Sequence, residues 1–115
     1  MKHFALLFRS TRMLSAEEQK QRAADIASWI QHVTDVGIRL DPRSLGEIVG
    51  NFYREGSEVL SRAESSDPAL TTIVFFDAAS PDQAVEMARI HPGMHYGVRV
   101  ELREWTSPRE TTAQG

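Results

Sequence analysis

Apolar residues change period several times along this chain, and each change marks an element. Phe4 to Phe8 is a continuous apolar run too short for a buried helix, which predicts a strand over His3 to Arg9. From Ser15 the period becomes helical: Ile26, Trp29, Ile30 and Val33 recur on one side, with Ala23 and Ala27 extending it. Ser15 and Glu18 have the spacing of a capping box, and Gly37 supplies a residue that tolerates a left-handed stop, so the predicted helix runs from Ser15 to Val36. Asp41-Pro42 then predicts a turn, not a regular element, within Ile38 to Gly46. Strand character resumes over Glu47 to Arg54, Glu55-Gly56 reads as a hairpin tip, Ser57 to Arg62 as the returning strand, and Ala63 to Pro68 as a surface loop.

The second half is the better defined. Thr71 to Asp77 is apolar on both alternating faces and predicts a strand buried on two sides. A second helix starts at Ser80, with Pro81 in the first helical position, Gln83 completing another capping box, and Ala84, Val85 and Ala88 facing the core until Pro92 ends it. In the closing strand Val98, Val100 and Leu102 take one face, and Arg99, Glu101, Arg103 and Trp105 the other. The expected architecture is an α+β, ferredoxin-like sandwich with both helices on one face of an antiparallel sheet. The uncovered face would then expose apolar side chains from Phe4 to Phe8 and from Ile73 to Phe76, which predicts a homodimer packed sheet to sheet, a dimeric α+β barrel.

Composition narrows the function classes more than it names one. A chain of 115 residues suits one domain, expected over residues 1–105, with residues 106–115 a flexible polar tail. The net charge of -3 gives no reason to expect nucleic acid or an anionic membrane, and the absence of cysteine excludes disulfides and thiolate chemistry. With no long apolar segment or leader pattern, a cytoplasmic location is expected. No phosphate loop, metal box or nucleophile–base pair is present, so no cofactor and no metal are expected.

Four stretches carry a family resemblance covering about Phe4 to Trp105. They are Leu14-Ser15-Ala16-Glu17-Glu18, Ser80-Pro81-Asp82-Gln83-Ala84, Ala88-Arg89-Ile90-His91-Pro92 and Val100-Glu101-Leu102-Arg103. Together they resemble the YCII-related family, including its branch named for an Asp-Gly-Pro-Phe motif, and that resemblance implies a small dimeric α+β barrel. Glu104 stands where the family's closing strand has proline, and Leu60-Ser61-Arg62-Ala63 falls at the name motif, which removes its acidic residue. The resemblance also implies a His-Asp pair in some members, with the histidine on the first helix. Here Ile26 is nearer that position, and His32 lies about two turns beyond it, so the pair is not carried over.

Among candidate residues, the four histidines are the groups that ordinarily titrate near neutrality. His91 and His95 have the i, i+4 metal spacing, but Pro92 and Gly93 intervene and no acidic motif accompanies them. His91 otherwise reads as a helix C-terminal residue favoured by the macrodipole, His32 as a boundary residue and His3 as a solvated one preceding the first strand. Arg99, Glu101 and Arg103 share one strand face, where fixed guanidinium groups could hold a carboxylate or phenolate. The bland alternative is pairing among themselves and with Glu47 or Glu58. The expected ligand site therefore comprises Arg9, His91, Arg99, Glu101 and Arg103, for a small anionic or phenolic molecule dependent on Arg103. The expected function is a homodimeric small-molecule-binding YCII-like domain without a catalytic dyad. The alternative is a lyase- or isomerase-type enzyme acting on a small polar or aromatic compound in the same cleft.

Overall fold

A computed structural model describes residues 1–62, 67 and 69–107. The elements are β1 (Lys2–Ser10), α1 (Ala16–Asp35), β2 (Leu40–Ser44), β3 (Asn51–Glu55), β4 (Glu58–Arg62), β5 (Leu70–Ala78), α2 (Pro81–Arg89), a 3-10 turn (Pro92–Tyr96) and β6 (Val98–Glu104). Strands β2, β5, β1 and β6 form one antiparallel sheet in that order, and β3 and β4 form a separate two-stranded sheet. This is an α+β structure compatible with a ferredoxin-like sandwich, with the hairpin inserted between β2 and β5. Of the expected loop over residues 63–68 only Asp67 is described, and of the expected tail over residues 106–115 only Thr106 and Ser107.

Both helix starts are local chemistry. The Ser15 hydroxyl accepts from the Glu18 N–H at 3.1 Å while the Glu18 carboxylate accepts from the Ser15 N–H at 3.2 Å. Arg12 pairs with the same carboxylate at 3.0 Å, and this bond, with the Ser15 backbone, holds Glu18 below its ordinary range. At α2 the Ser80 hydroxyl accepts from the Gln83 N–H at 3.2 Å, but the Gln83 side chain reaches Ala79 N–H at 2.8 Å and not the cap residue, one position short of the expected box.

Register assigns the faces. Phe4, Leu6 and Phe8 oppose Phe76, Val74 and Thr72 on one side and Glu104, Leu102 and Val100 on the other, and residues directly opposite share a face. That face holds the core, with Trp29 and Val33 from α1 and Ala84 and Met87 from α2 packed on it. Val98, Val100 and Leu102 pack against the same core, as the alternation predicts.

Three expectations need correction. Asp41-Pro42 lies within β2 and is not a turn; β2 is an edge strand, where the missing proline N–H interrupts no ladder bond on its outer side. On α2 Val85 is exposed and Met87 is buried, because i+3 and i+4 from Ala84 fall on residues 87 and 88. On α1 the buried stripe is narrower than the pattern suggests: Trp29 and Val33 are buried, while Ile30, Ala23 and Ala27 are exposed.

Trp29 ties the two helices together. Its Nε1–H donates to the Met87 carbonyl at 3.0 Å, one of the last-turn carbonyls of α2 that have no partner within that helix. Tyr96 donates to Asp25 at 2.5 Å and Gln21 to the other Asp25 oxygen at 3.0 Å, which lowers the Asp25 pKa and fastens the 3-10 turn to α1. Gly97 then turns back with φ 76, where a Cβ would stand 2.7 Å from Arg12 Cγ.

Candidate functional site

The narrow contact of α1 leaves a cleft between that helix and the β2–β5 side of the sheet. Its volume is about 700 Å³, within the range of small-molecule sites. Ile26, Trp29 and Ile30 form the helix wall; Leu40, Pro42 and Val74 form the sheet wall; Phe8 and Val98 close the inner end. β5 carries one extra residue here, because Phe8 opposes Thr72 whereas Arg9 opposes Leu70, and the bulged Thr71 borders the cleft. Hydroxyls of Ser10, Ser44 and Thr72 share the same border.

Two nitrogen groups punctuate this apolar space. His91 is 5% exposed, with its ring 4.7 Å from that of Phe8 and edge-on to Trp29 at 4.6 Å. Burial lowers its pKa to about 4, so the imidazole is neutral at pH 7. Its Nδ1 accepts from the Gly93 N–H at 2.9 Å, which places the proton on Nε2. No buried side-chain nitrogen or oxygen among the described residues lacks a partner, and Nε2 has no protein partner, so Nε2–H is open to the cleft. The second group is Arg22, a half-buried guanidinium on the cleft wall with no ion-pair partner among the described residues.

His91 is thus a fixed hydrogen-bond donor. The expectation of a helix C-terminal histidine favoured by the macrodipole is corrected: the helix ends at Arg89, and His91 caps the following 3-10 turn through its own ring. A Cβ at Gly93 would stand 2.9 Å from His91 Nδ1 and 3.3 Å from Val98 Cβ, so only glycine fits beneath the ring. His95 opens onto a different, shallower depression with Asp25 and His32, so the i, i+4 pair does not converge. Among the described residues no group of three or more histidine or carboxylate side chains could hold a metal.

The remaining expected site residues lie across the sheet from His91. Arg9, Arg99, Glu101 and Arg103 share the face away from the helices, as the register requires. Glu101 is held between Arg9 Nη1, at 3.0 Å, and Arg103 Nε, while Arg9 Nε also reaches Asp67 at 2.8 Å. The bond to Arg103, foremost, lowers the Glu101 pKa, and the bond to Asp67 raises that of Arg9. Arg103 has a side chain 68% exposed, and its charge faces an internal partner. The open face is not wholly charged: Leu7, Ile73 and Phe75 occupy its centre half-buried, and Trp105 folds over it, edge-on to Phe75 and stacked on His3. His3, expected to be solvated before the strand, lies within β1 and pairs with Asp77 at 2.6 Å.

Sequence reading missed the cleft and Arg22. The available signal was the width of the α1 stripe: Ile26 and Ile30 exceed what two buried positions need. Compared with known family models and with curated proteins, the chain matches none.

Proposed function

We propose that the protein is a homodimeric small-molecule-binding domain of the YCII-related type, with its ligand in the cleft between α1 and the sheet. One observation carries the reading: a neutral histidine inside an apolar cleft offers Nε2–H with no partner of its own. A donor that a ligand shuts off from water is costly to leave unmade, so the cleft selects for a ligand acceptor such as a carbonyl, carboxylate or phenolate oxygen. Arg22 suits the anionic members of that class. The apolar walls and the adjacent rings of Trp29 and Phe8 suit an aromatic or otherwise flat body.

Binding is favoured over acid–base catalysis by the same geometry. With Nδ1 engaged by Gly93 and the proton on Nε2, His91 has no free lone pair to act as a base. The dimer is supported by the apolar centre of the open face, which two copies would cover by facing each other. In that arrangement the Arg9–Glu101–Arg103 network lies at the interface and the ligand lies elsewhere.

The two tryptophans separate the alternatives. Trp29 lines the cleft while its Nε1–H is held by the Met87 carbonyl, and Trp105 Nε1–H, which donates to the Phe4 carbonyl at 3.1 Å, reports on the open face. Benzoate, 4-hydroxybenzoate and phenylacetate titrated into ¹⁵N-labelled protein should move the Trp29 indole resonance and leave that of Trp105 in place. Movement of Trp105 alone would put the ligand on the charged face, and no movement at millimolar probe would remove the binding reading.

A further inference from the structure

Among the described residues the β3–β4 hairpin packs closely on no other element, and in the sheets its two strands pair only with each other. An isolated two-stranded hairpin is marginal in water. One of its faces has internal cover, since Arg62 lies 4.7 Å over the Tyr53 ring, donates to the Tyr53 hydroxyl at 3.1 Å, and Leu60 sits opposite Tyr53. The other face has only the backbone of Gly50 against the edge of the Phe52 ring. Phe52 opposes Ser61 and Val59 opposes Arg54, which makes Phe52 and Val59 diagonal neighbours on that face, 71% and 69% exposed. At the tip Glu55 directly opposes Glu58, a like-charge pair that is unfavourable unless a cation meets it.

We infer that this hairpin is an arm that docks on a second copy of this chain, seating Phe52 and Val59 against the partner's open sheet face. The inference rests on the proposed sheet-to-sheet dimer and extends it. Area is the first argument for a second copy as the occupant. The sheet's thirty residues, at ~3.3 Å rise and ~4.8 Å spacing, have a flat footprint of only about 500 Å², and each arm seated on the other copy adds apolar contact toward the accessible surface of about 800 Å² that a stable pair buries per partner. Charge is the second: the acidic tip has no cation of its own, and Arg99 on the outer strand β6 of the open face has no ion-pair partner among the described residues. Connectivity is the third, because the arm leaves from the edge strand β2 and so hangs off the rim of the surface that a second copy would face.

Sedimentation equilibrium on the purified full chain tests this, comparing wild type with the double variant Phe52→Thr and Val59→Thr, which keeps strand-forming residues at two exposed positions. Wild type should be a dimer, and the variant should dissociate at least about a hundredfold more readily, since four apolar side chains leave the paired interface. Benzoylphenylalanine placed at position 52 should cross-link to the open face of the other copy, mapped by mass spectrometry to peptides of β1, β5 or β6. A wild-type monomer at 100 µM would overturn both the dimer and the arm. A wild-type dimer whose dissociation the double variant leaves unchanged, or a position-52 probe that gives no adduct between copies, would overturn the arm alone and leave the sheet-to-sheet dimer standing.

Discussion

Replacing His91 by Asn should flatten the dependence of stability on pH, by an amount that follows from its burial. The folded imidazole has a pKa lowered to about 4 by burial, against about 6.5 in an unfolded chain. Between those values the unfolded chain holds a proton that the folded chain does not, so stability is fully present above pH 6.5 and is lost as pH falls toward 4. At 1.36 kcal/mol per unit, the His91 contribution lost between pH 8 and pH 5 is about 2 kcal/mol, rising to about 3 kcal/mol near pH 4. Glu18, Asp25, Asp41 and Glu101, all held low by hydrogen bonds, lose their contributions as pH falls from the ordinary carboxylate range downward, largely outside the window from pH 5 to 8. Asn is the informative replacement because its Oδ1 can still accept from the Gly93 N–H while the titrating ring is gone. Urea titrations of both proteins at pH 8 and pH 5 should show the variant less stable at pH 8 and its pH-dependent loss smaller by about 2 kcal/mol. Equal losses in the two proteins, within about 0.5 kcal/mol, would mean that the ring is not held neutral in the folded chain and that its donor role is wrong.

Truncating Trp29 to Ala should cost about 3–5 kcal/mol, since it empties a core position. Trp29→Phe should cost about 1–3 kcal/mol, because the Met87 carbonyl loses its donor. Denaturant titration separates the two, and a loss under about 1 kcal/mol for the alanine variant would refute the packing of α1 through this residue. Gly93→Ala should destabilise by about 1–3 kcal/mol by overpacking, because the imidazole beneath the new methyl group is wedged between Phe8 and Trp29. Thermal melts at pH 7 would check it, and an unchanged midpoint would show that the ring can shift.

What the sequence made legible was local. The Ser15–Glu18 box, the Ser80 cap with Pro81, and the two-residue alternation of β6 depend on neighbours within a few positions, and each appears where the pattern puts it, the Gln83 contact displaced by one residue. Strand β2 was not legible because Pro42 argues against a strand unless the strand is an edge, and being an edge is decided by β5 and β1, about thirty residues away in sequence. His91 was misread for a related reason. His91-Pro92-Gly93 looks like a helix stop, and only Phe8 and Trp29, brought in from the first strand and the first helix, turn that stop into a buried donor. The charged face of β6 was placed correctly by alternation, and Arg103 pairs within it with Glu101, but the second partner of Glu101, Arg9, comes from the first strand and brings Asp67 with it, so of the apparent pair of guanidinium groups Arg103 is engaged and Arg99, among the described residues, is not.

The cleft itself has a cause in those same residues. Strand β2 is only five residues long and offers Pro42 and Ser44 where a central strand would offer large apolar side chains, so opposite Ile26 and Ile30 of α1 the sheet wall is lightly built, from Leu40, Pro42 and Val74. Sealed and dry, a void of about 700 Å³ would cost roughly 17 kcal/mol at ~24 cal/mol per Å³, more than the ~5–15 kcal/mol that holds a domain together. The space is therefore tolerable because it is open to solvent, and a ligand that fills it gains what the sheet and helix forgo. A surface groove of that kind is ordinary; one in which a neutral imidazole, fixed in tautomer by its own loop and walled by two aromatic rings, presents a single N–H to apolar space discriminates among the molecules that enter it. A hydrocarbon of the right shape would leave that donor unmatched at a cost of about 1–3 kcal/mol, whereas an isostere bearing one oxygen there would not, which is a preference of roughly ten- to a hundredfold.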